Sequence, residues 1–432
     1  MDHHVNTAQQ VARLPRKTFP QRATRPVAMM KSSIFRLALL AFVGIAVGRT
    51  VWADVPFHQR IDEMIAATAG DLPVAGRSND AEFLRRIHLD LAGRIPSSEE
   101  AREFFHDESP DKRAKLIDQL LAGSDYPRHM SDRFHVMLME RIGENADWSK
   151  FLRTSLEANK PWDEMARAML APNRDDEDAR GAAYFLTARL ASRGAMTDVD
   201  VPGLTRDVGR LLAGKDLKCA QCHDHVSIDD YKQRDFQGLH AVFLNIKPDG
   251  GAKFPAVTEG LFAKKREFMS VFIQEPEETG PRAPGLGEID IPVFAKGEEY
   301  AVPPDKKKRT PGTPKFSPLS ALAKGLADGE NVVFRRNIAN RLWFLMLGRG
   351  VVHPLDAHHG DNPPSHPKLL DAMGTHFAAR GFDVKWLLRE IALSETYQRT
   401  SMLPEGQRPP PRDKFVLAHQ KRISAEQLLW ST

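Results

Sequence analysis

The chain has 432 residues, of which 41% are hydrophobic and 27% charged. This composition excludes a collagen-like fibre, a wholly disordered chain and a polytopic membrane protein, and two cysteines exclude a scaffold stapled by several disulfides. In residues 1–53 basic side chains outnumber acidic ones by seven, so the net charge falls from +4 to −3 when this segment is removed. Because a chain with this negative charge does not attract phosphate, no nucleic-acid partner is expected.

The first 53 residues have the pattern of a secretory signal. Lys31 lies just before an uncharged apolar stretch at 37–48, and residues 51–53 place small side chains at the two positions that signal peptidase reads. The apolar stretch is short for a membrane span, so only an uncleaved signal would tie the protein to a membrane. Met29 would give a more usual start, which makes the first 28 residues over-long. We therefore expect an exported, periplasmic or extracytoplasmic protein.

Apolar periodicity predicts a mainly α fold in three parts after the signal. Residues 54–245 form a helical domain, residues 246–316 a small Pro/Gly-rich connector with short strands, and residues 317–432 a second helical domain. The last domain ends inside an amphipathic helix and is expected to be incomplete at its C-terminus.

Local signals predict several helix starts in the first domain. Asn79 can cap a helix that runs to Gly93, and Ser97 with Glu100 forms a capping box. Ser109 before a proline predicts a further N-cap. The apolar spacing predicts later helices at residues 162–170 and 204–212.

The connector and the last domain change in character. The connector is predicted to contain strands at 268–273 and 289–294, each bounded by turn residues. Helices then return, and the patterns place them at residues 319–326, 331–347, 367–380 and 384–397.

Both cysteines lie in one short motif, Cys219-x-x-Cys222-His223. Cys-x-x-Cys-His is the attachment signature of c-type haem. Two thiols about one helical turn apart can reach both vinyl groups on one edge of the porphyrin, and the next imidazole can bind the iron as the proximal ligand. Attachment of haem outside the cytoplasm agrees with the predicted export. Haem c is thus the first cofactor hypothesis.

Other chemistries of the two thiols stay open. In an oxidising compartment the pair can close into a disulfide, or it can bind zinc with His225 and a distant ligand such as His240. The thiols can also be free. If haem is bound, its sixth ligand is not evident from the sequence, and Met196, Met269 and His240 are candidates by residue type alone.

A second dense group of titratable residues follows at 353–366. It suggests a metal or acid–base site, and a hydrolase, but it also resembles a loop leading into a helix, with Asn362 or Ser365 as the cap. Its members are His353, Asp356, His358, His359, Asp361 and His366.

Two sets of motifs resemble known families. Residues 83–96, 219–225 and 230–231 resemble the planctomycete cytochrome-C-like domain of unknown function. The planctomycete-specific domain usually found behind it is similar to four further segments, at residues 340–344, 348–350, 362–367 and 394–398.

The resemblance implies an exported, mainly helical protein in which Cys219 and Cys222 attach haem and His223 binds its iron. The separate cytochrome domain often found ahead of this pair is missing from the sequence, so no electron partner is expected in cis. We therefore expect an electron carrier with an unknown redox partner. The alternative is a haem-free secreted module that binds a partner or polysaccharide. Whether the protein is an enzyme is left open.

Overall fold

The computed structural model describes residues 55–191, 199–305, 307, 312–403, 406 and 408–432. The predicted signal and Met196 lie outside the described residues. Within them helices dominate and strands are few and short, so the prediction of a mainly α fold is confirmed.

Ten α-helices and three shorter helical turns precede the first strand of the described chain. The α-helices are α1 (Phe57–Ala69), α2 (Asp80–Ile87), α3 (Ser98–His106), α4 (Lys112–Ala122), α5 (Asp125–Met139), α6 (Ala146–Glu157), α7 (Trp162–Leu170), α8 (Tyr184–Leu190), α9 (Val201–Ala213) and α10 (Gln233–Phe243). The turns are a π-helical turn, His88–Ala92, and 3-10 turns at Arg180–Ala183 and Cys219–Gln221.

Capping explains where several of these helices begin. The Asn79 side chain accepts a hydrogen bond from the backbone of α2, and Ser97 forms the predicted capping box with Glu100. The cap predicted at Ser109 was wrong, because its carbonyl accepts from the Lys112 N–H and closes a turn before α4 begins. Helix α2 continues as the π-helical turn and ends at Gly93, as predicted.

The connector contains three separate two-stranded antiparallel sheets. Their strands are β1 (Ile246–Pro248) with β2 (Val257–Glu259), β3 (Arg266–Met269) with β4 (Pro276–Thr279), and β5 (Tyr300–Val302) with β6 (Thr313–Pro314). The strand predicted at 268–273 is thus shorter and begins earlier. The strand predicted at 289–294 was wrong, because this apolar segment has no neighbouring strand to pair with and leaves Val293 97% exposed.

Helices return after the connector. They are α11 (Pro318–Leu326), α12 (Val332–Leu347), α13 (Pro367–Ala379), α14 (Val384–Leu393), α15 (Glu395–Gln398) and α16 (Ala425–Trp430), with a 3-10 turn at Arg412–Lys414. Asn331 caps α12 and Gly348 ends it in a left-handed conformation. The helix predicted at 384–397 is divided at Ser394, whose extended backbone and side-chain oxygen start α15.

One hydrophobic core joins the helices before and after the connector. Residues 54–432 form a single compact unit. The ring of Trp162 on α7 stacks on Phe334 of α12 at 6.4 Å, and the backbone N–H of Trp162 donates to the Phe382 carbonyl. Helix α1 also packs on α14, and α9 packs on α12. No helix in the described part of the chain is both long and apolar enough to cross a membrane.

Candidate functional site

The Cys-x-x-Cys-His motif lies in the loop between α9 and α10. This loop begins at Gly214, whose φ of +67° ends α9 in a left-handed turn. A Cβ at this glycine would lie 2.6 Å from the His358 ring. The Asp216 N–H donates to the Asp356 carbonyl, and the His358 N–H donates to the Gly214 carbonyl. The start of the motif loop is therefore fixed against the region that follows the connector.

Cys219 is the first residue of a single 3-10 turn, Cys219–Gln221, and Cys222 caps the C-terminal end of that turn. In a 3-10 helix residues i and i+3 eclipse, so Cys219 and Cys222 point to the same side. Both are exposed and unpaired, whereas Ala220 between them is fully buried. The turn thus buries its middle residue and presents both thiols to solvent.

Side chains from three elements hold this turn in place. The Gln237 amide on α10 donates to the Gln221 carbonyl at 2.8 Å, and its own oxygen accepts from Arg266 Nε on β3 at 2.7 Å. Arg206 on α9 donates to the Gln221 side chain. Sequence reasoning missed Gln237, because nothing local in the sequence relates a residue of α10 to the motif.

The orientation of His223 follows from one hydrogen bond. Its Nδ1 lies 2.6 Å from the Asp224 carbonyl oxygen, which can only accept, so Nδ1 carries the proton. In the neutral ring Nε2 is then unprotonated and able to bind a metal ion. The His223 ring also contacts Phe272, with a centroid separation of 4.6 Å.

Phe272 belongs to the tip of the β3–β4 hairpin, an apolar surface next to the motif. Its ring is 69% exposed, and Met269, Val271 and Ile273 are exposed beside it. The Val271 N–H donates to the Cys222 carbonyl, so the hairpin and the motif are joined directly. We call these four residues the hairpin tip. All four lie in the strand predicted at 268–273, and only Met269 was also named as a candidate ligand of the haem iron.

The two histidines of the zinc hypothesis have other roles. His225 Nδ1 accepts from the backbone N–H groups of Ser227 and Ile228, so this nitrogen is occupied. His240 is buried in α10, where burial lowers its pKa to about 4. No group of three or more His, Cys, Asp or Glu side chains suited to a metal ion occurs among the residues that the structure describes. The structure therefore does not gather the predicted zinc ligands.

The group at 353–366 is dispersed in the same way. Asp356 accepts from Arg210 and Arg341, while His353 faces Phe344 and His366 lies buried against Phe415. Burial lowers the pKa of both His358 and His366 to about 4. The helix that follows begins after His366 and has no side-chain cap, so the caps predicted at Asn362 and Ser365 were wrong. Ser365 instead donates to the Val351 carbonyl.

The motif fits the chemistry of covalent haem attachment. Two unpaired, exposed thiols belong to one turn, and the adjacent imidazole donates from Nδ1, which leaves Nε2 as the nitrogen that can bind a metal ion in the neutral ring. Five cavities of the described chain lie elsewhere, and none of these five has Cys219, Cys222 or His223 in its wall. The site is therefore a surface site. Of the candidate sixth ligands that the structure describes, Met269 is exposed and His240 is buried.

Comparison with known families gives two matches. Residues 60–248 match PSCyt2, described as a protein of unknown function (DUF1549), and residues 320–431 match PSD1, described as a protein of unknown function (DUF1553). No curated protein and no solved structure matches the chain significantly. The chain therefore contains a PSCyt2 region followed by a PSD1 region, both of unknown function, as its motifs predicted.

Proposed function

We propose that this protein is an exported electron carrier that binds one c-type haem. Cys219 and Cys222 would form the two thioether bonds, and His223 would bind the iron as the proximal ligand. The proposal depends on one observation above all, which is that both thiols are unpaired and exposed at the two ends of one 3-10 turn.

The neighbouring residues support the assignment of His223. The hydrogen bond from Nδ1 to the Asp224 carbonyl would fix the ring and raise the basicity of Nε2, as second-shell partners of metal-binding histidines do. The hairpin tip would give the site an apolar wall, because Phe272 lies against the same ring. Burial and apolar contact are among the factors by which a protein sets the potential of a haem.

The haem would supply an iron that gains or loses a single electron. The chain's own part would be to hold that iron at the surface, where the exposed thiols leave a tethered group within reach of a redox partner. The predicted signal at 1–53 supports attachment outside the cytoplasm. The name PSCyt2 of the first matched family is consistent with a cytochrome-like role.

The test is expression of the full chain with a c-type maturation system, followed by a haem peroxidase stain of a denaturing gel. We expect a stained band for the wild type and no stain when both Cys219→Ala and Cys222→Ala are introduced. Ser227→Ala serves as the control, because this exposed residue lies in the same loop and contributes no side-chain hydrogen bond. An unstained band from fully matured wild-type protein would contradict the proposal.

A second variant pair tests the proximal ligand. His223→Ala should change the absorption spectrum and potential of bound haem, because it removes the only imidazole of the motif. His225→Ala should leave both unchanged, because its Nδ1 is occupied by backbone N–H groups. Equal spectral changes in the two variants would argue against His223 as the ligand.

The exposure of the hairpin tip supports a second candidate function. Exposed aromatic and apolar side chains mark surfaces that bind partners, and a haem-free secreted module could bind a protein or polysaccharide through Phe272. The cysteines would then form a disulfide or a metal site. Unstained protein that binds polysaccharide, and loses this binding in Phe272→Ala, would favour the second candidate over the first.

A further inference from the structure

A separate cavity of about 390 Å³ lies between the PSCyt2 and PSD1 regions. Its wall combines α2 and the following π-helical turn with α5 and with residues 419–427. Neither matched region encloses it alone, and it shares no residue with the Cys-x-x-Cys-His site. Its volume falls in the range of small-molecule sites, about 300–1,000 Å³.

The wall of this cavity is strongly cationic. It includes five cationic side chains and only two carboxylates, Asp90 and Glu82. Asp90 accepts from Lys421 Nζ at 2.5 Å and from the Tyr397 hydroxyl at 2.8 Å. Glu82 pairs with Arg86 and also accepts from the backbone N–H of Ser401. Each carboxylate is therefore already neutralised by one cation and held by further donors.

Three guanidinium groups in the wall have no such partner. Among the described residues, the side chains of Arg85, Arg133 and Arg422 form no hydrogen bond and no ion pair. Arg85 and Arg422 are exposed at the cavity's edge, whereas Arg133 is half-buried. Asp90 and Glu426 attract the Arg133 charge from a distance, but Glu426 pairs with Arg141 and neither carboxylate pairs with Arg133.

An unpaired guanidinium that is partly buried loses hydration without gaining an ionic partner. Such a group is stabilised when an anion enters the cavity, and the planar fork of arginine suits phosphate, sulfate and carboxylate oxygens. The imidazoles of His129 and His419 also line the cavity, and burial lowers their pKa to about 3 and about 4. Both are therefore neutral near pH 7 and leave the arginines to attract the anion.

We infer that this cavity binds a small organic molecule bearing a tetrahedral oxyanion, a phosphate or sulfate ester, with Arg133 as its central contact and Arg85 and Arg422 at the entrance. A bare ion would fill only part of the cavity, so the remaining space accepts the organic part of the ester. Binding would engage residues of both matched regions at once.

The test is calorimetric titration and thermal unfolding of the full chain with four anions at low ionic strength. These are inorganic phosphate, inorganic sulfate, glucose 6-phosphate and glucose 6-sulfate, and glucose itself is the uncharged reference. We expect at least one ester to bind and to raise the unfolding temperature, and glucose to have no effect. If the protein prefers one ester, that preference identifies the oxyanion. If inorganic phosphate or sulfate also binds, the oxyanion supplies most of the affinity.

Arg133→Gln should weaken the binding by about 10- to 100-fold, since a charge-assisted hydrogen bond is lost. Arg422→Gln should weaken it less, because that side chain is exposed. Arg153→Gln is the matched control, because it removes an exposed, unpartnered arginine from α6 outside the cavity.

Loss of fold is distinguished by the unfolding temperature without ligand. Removing the unpaired Arg133 charge should leave this temperature unchanged or raise it. The inference is overturned if none of the anions binds the wild type. It is equally overturned if Arg153→Gln weakens binding as much as Arg133→Gln, which would indicate a diffuse surface charge.

Discussion

The Cys-x-x-Cys-His turn and the cationic cavity place chemistry in the protein in opposite ways. The turn gathers its thiols and imidazole within five consecutive residues and presents them at the surface. The cavity gathers arginines, imidazoles and an ion pair from positions more than 300 residues apart and encloses them between helices. The first site depends on local backbone geometry, whereas the second exists only when the whole chain is folded.

This difference predicts how each site responds to mutation. A surface turn can lose a side chain at small cost to the fold, because water replaces the lost contacts. A cavity built around a buried ion pair cannot, because a removed partner leaves the other charge unpaired. The free energy of unfolding of suitable variants measures this contrast.

The largest effect is expected at the ion pair between Lys421 and Asp90. Lys421 Nζ also donates to the Met346 carbonyl at 2.6 Å, so it ties the segment before α16 to α12 and to the π-helical turn. Lys421→Met would leave the Asp90 carboxylate buried with only the Tyr397 hydroxyl. We expect a loss of about 3–5 kcal/mol in the free energy of unfolding, measured with urea.

Two further variants separate the buried charge from general disruption. Lys421→Met combined with Asp90→Asn should regain part of the loss, because the unpaired charge is gone. Lys115→Met breaks the solvent-exposed pair with Asp111 and should leave the free energy of unfolding almost unchanged. Similar losses at the buried and exposed pairs would remove the contrast between cavity and surface.

The elements predictable from sequence are those specified by neighbouring residues. The capping box at Ser97, the Asn331 cap and the end of α12 at Gly348 each depend on residues within one turn. Ser394 shows where such signals were overlooked, because its side chain caps α15 and interrupts a continuous apolar pattern. The absent strand at 289–294 shows a second limit, since a strand needs a pairing partner that periodicity does not supply.

The same limit applies to the sites. The motif at 219–223 could be found because its chemistry is local, but Gln237 and the hairpin tip reach it only through the fold. The cavity gave no signal at all in the sequence. Arg85 and Arg422 each resemble ordinary solvated charges, and only the packing of α2 and α5 against residues 419–427 brings them to one wall.

The second prediction compares neighbouring residues within the motif turn. Ala220 is fully buried, so Ala220→Leu forces extra carbons into a packed site and should cost about 1–3 kcal/mol of unfolding free energy. Cys219 is exposed, so Cys219→Ser should change the unfolding free energy by about 0.5 kcal/mol or less in haem-free protein. Both changes in unfolding free energy are to be measured by urea unfolding of the reduced chain.

A matched change at the other cysteine controls for the position in the turn. Cys222→Ser should behave like Cys219→Ser, because both side chains face solvent. A loss above about 1 kcal/mol in either serine variant would mean that the thiols are packed against the protein, contrary to the surface turn described above.

The smallest effect is expected from the pH dependence of one cavity imidazole. His129 is 3% exposed, and burial together with Arg133 and Arg128 lowers its pKa from 6.5 to about 3. As the pH falls below 6.5, the unfolded chain takes up a proton that the folded chain does not, so stability is lost on acidification. Between pH 8 and 5.5 this one group should account for about 1.4 kcal/mol, which His129→Gln should abolish. At pH 8 both states are neutral, so the unfolding free energies there provide the reference for each protein. Parallel pH profiles for the two proteins would mean that His129 takes up a proton in the folded state, and the positive charge of the cavity would then no longer come from its arginines and lysine alone.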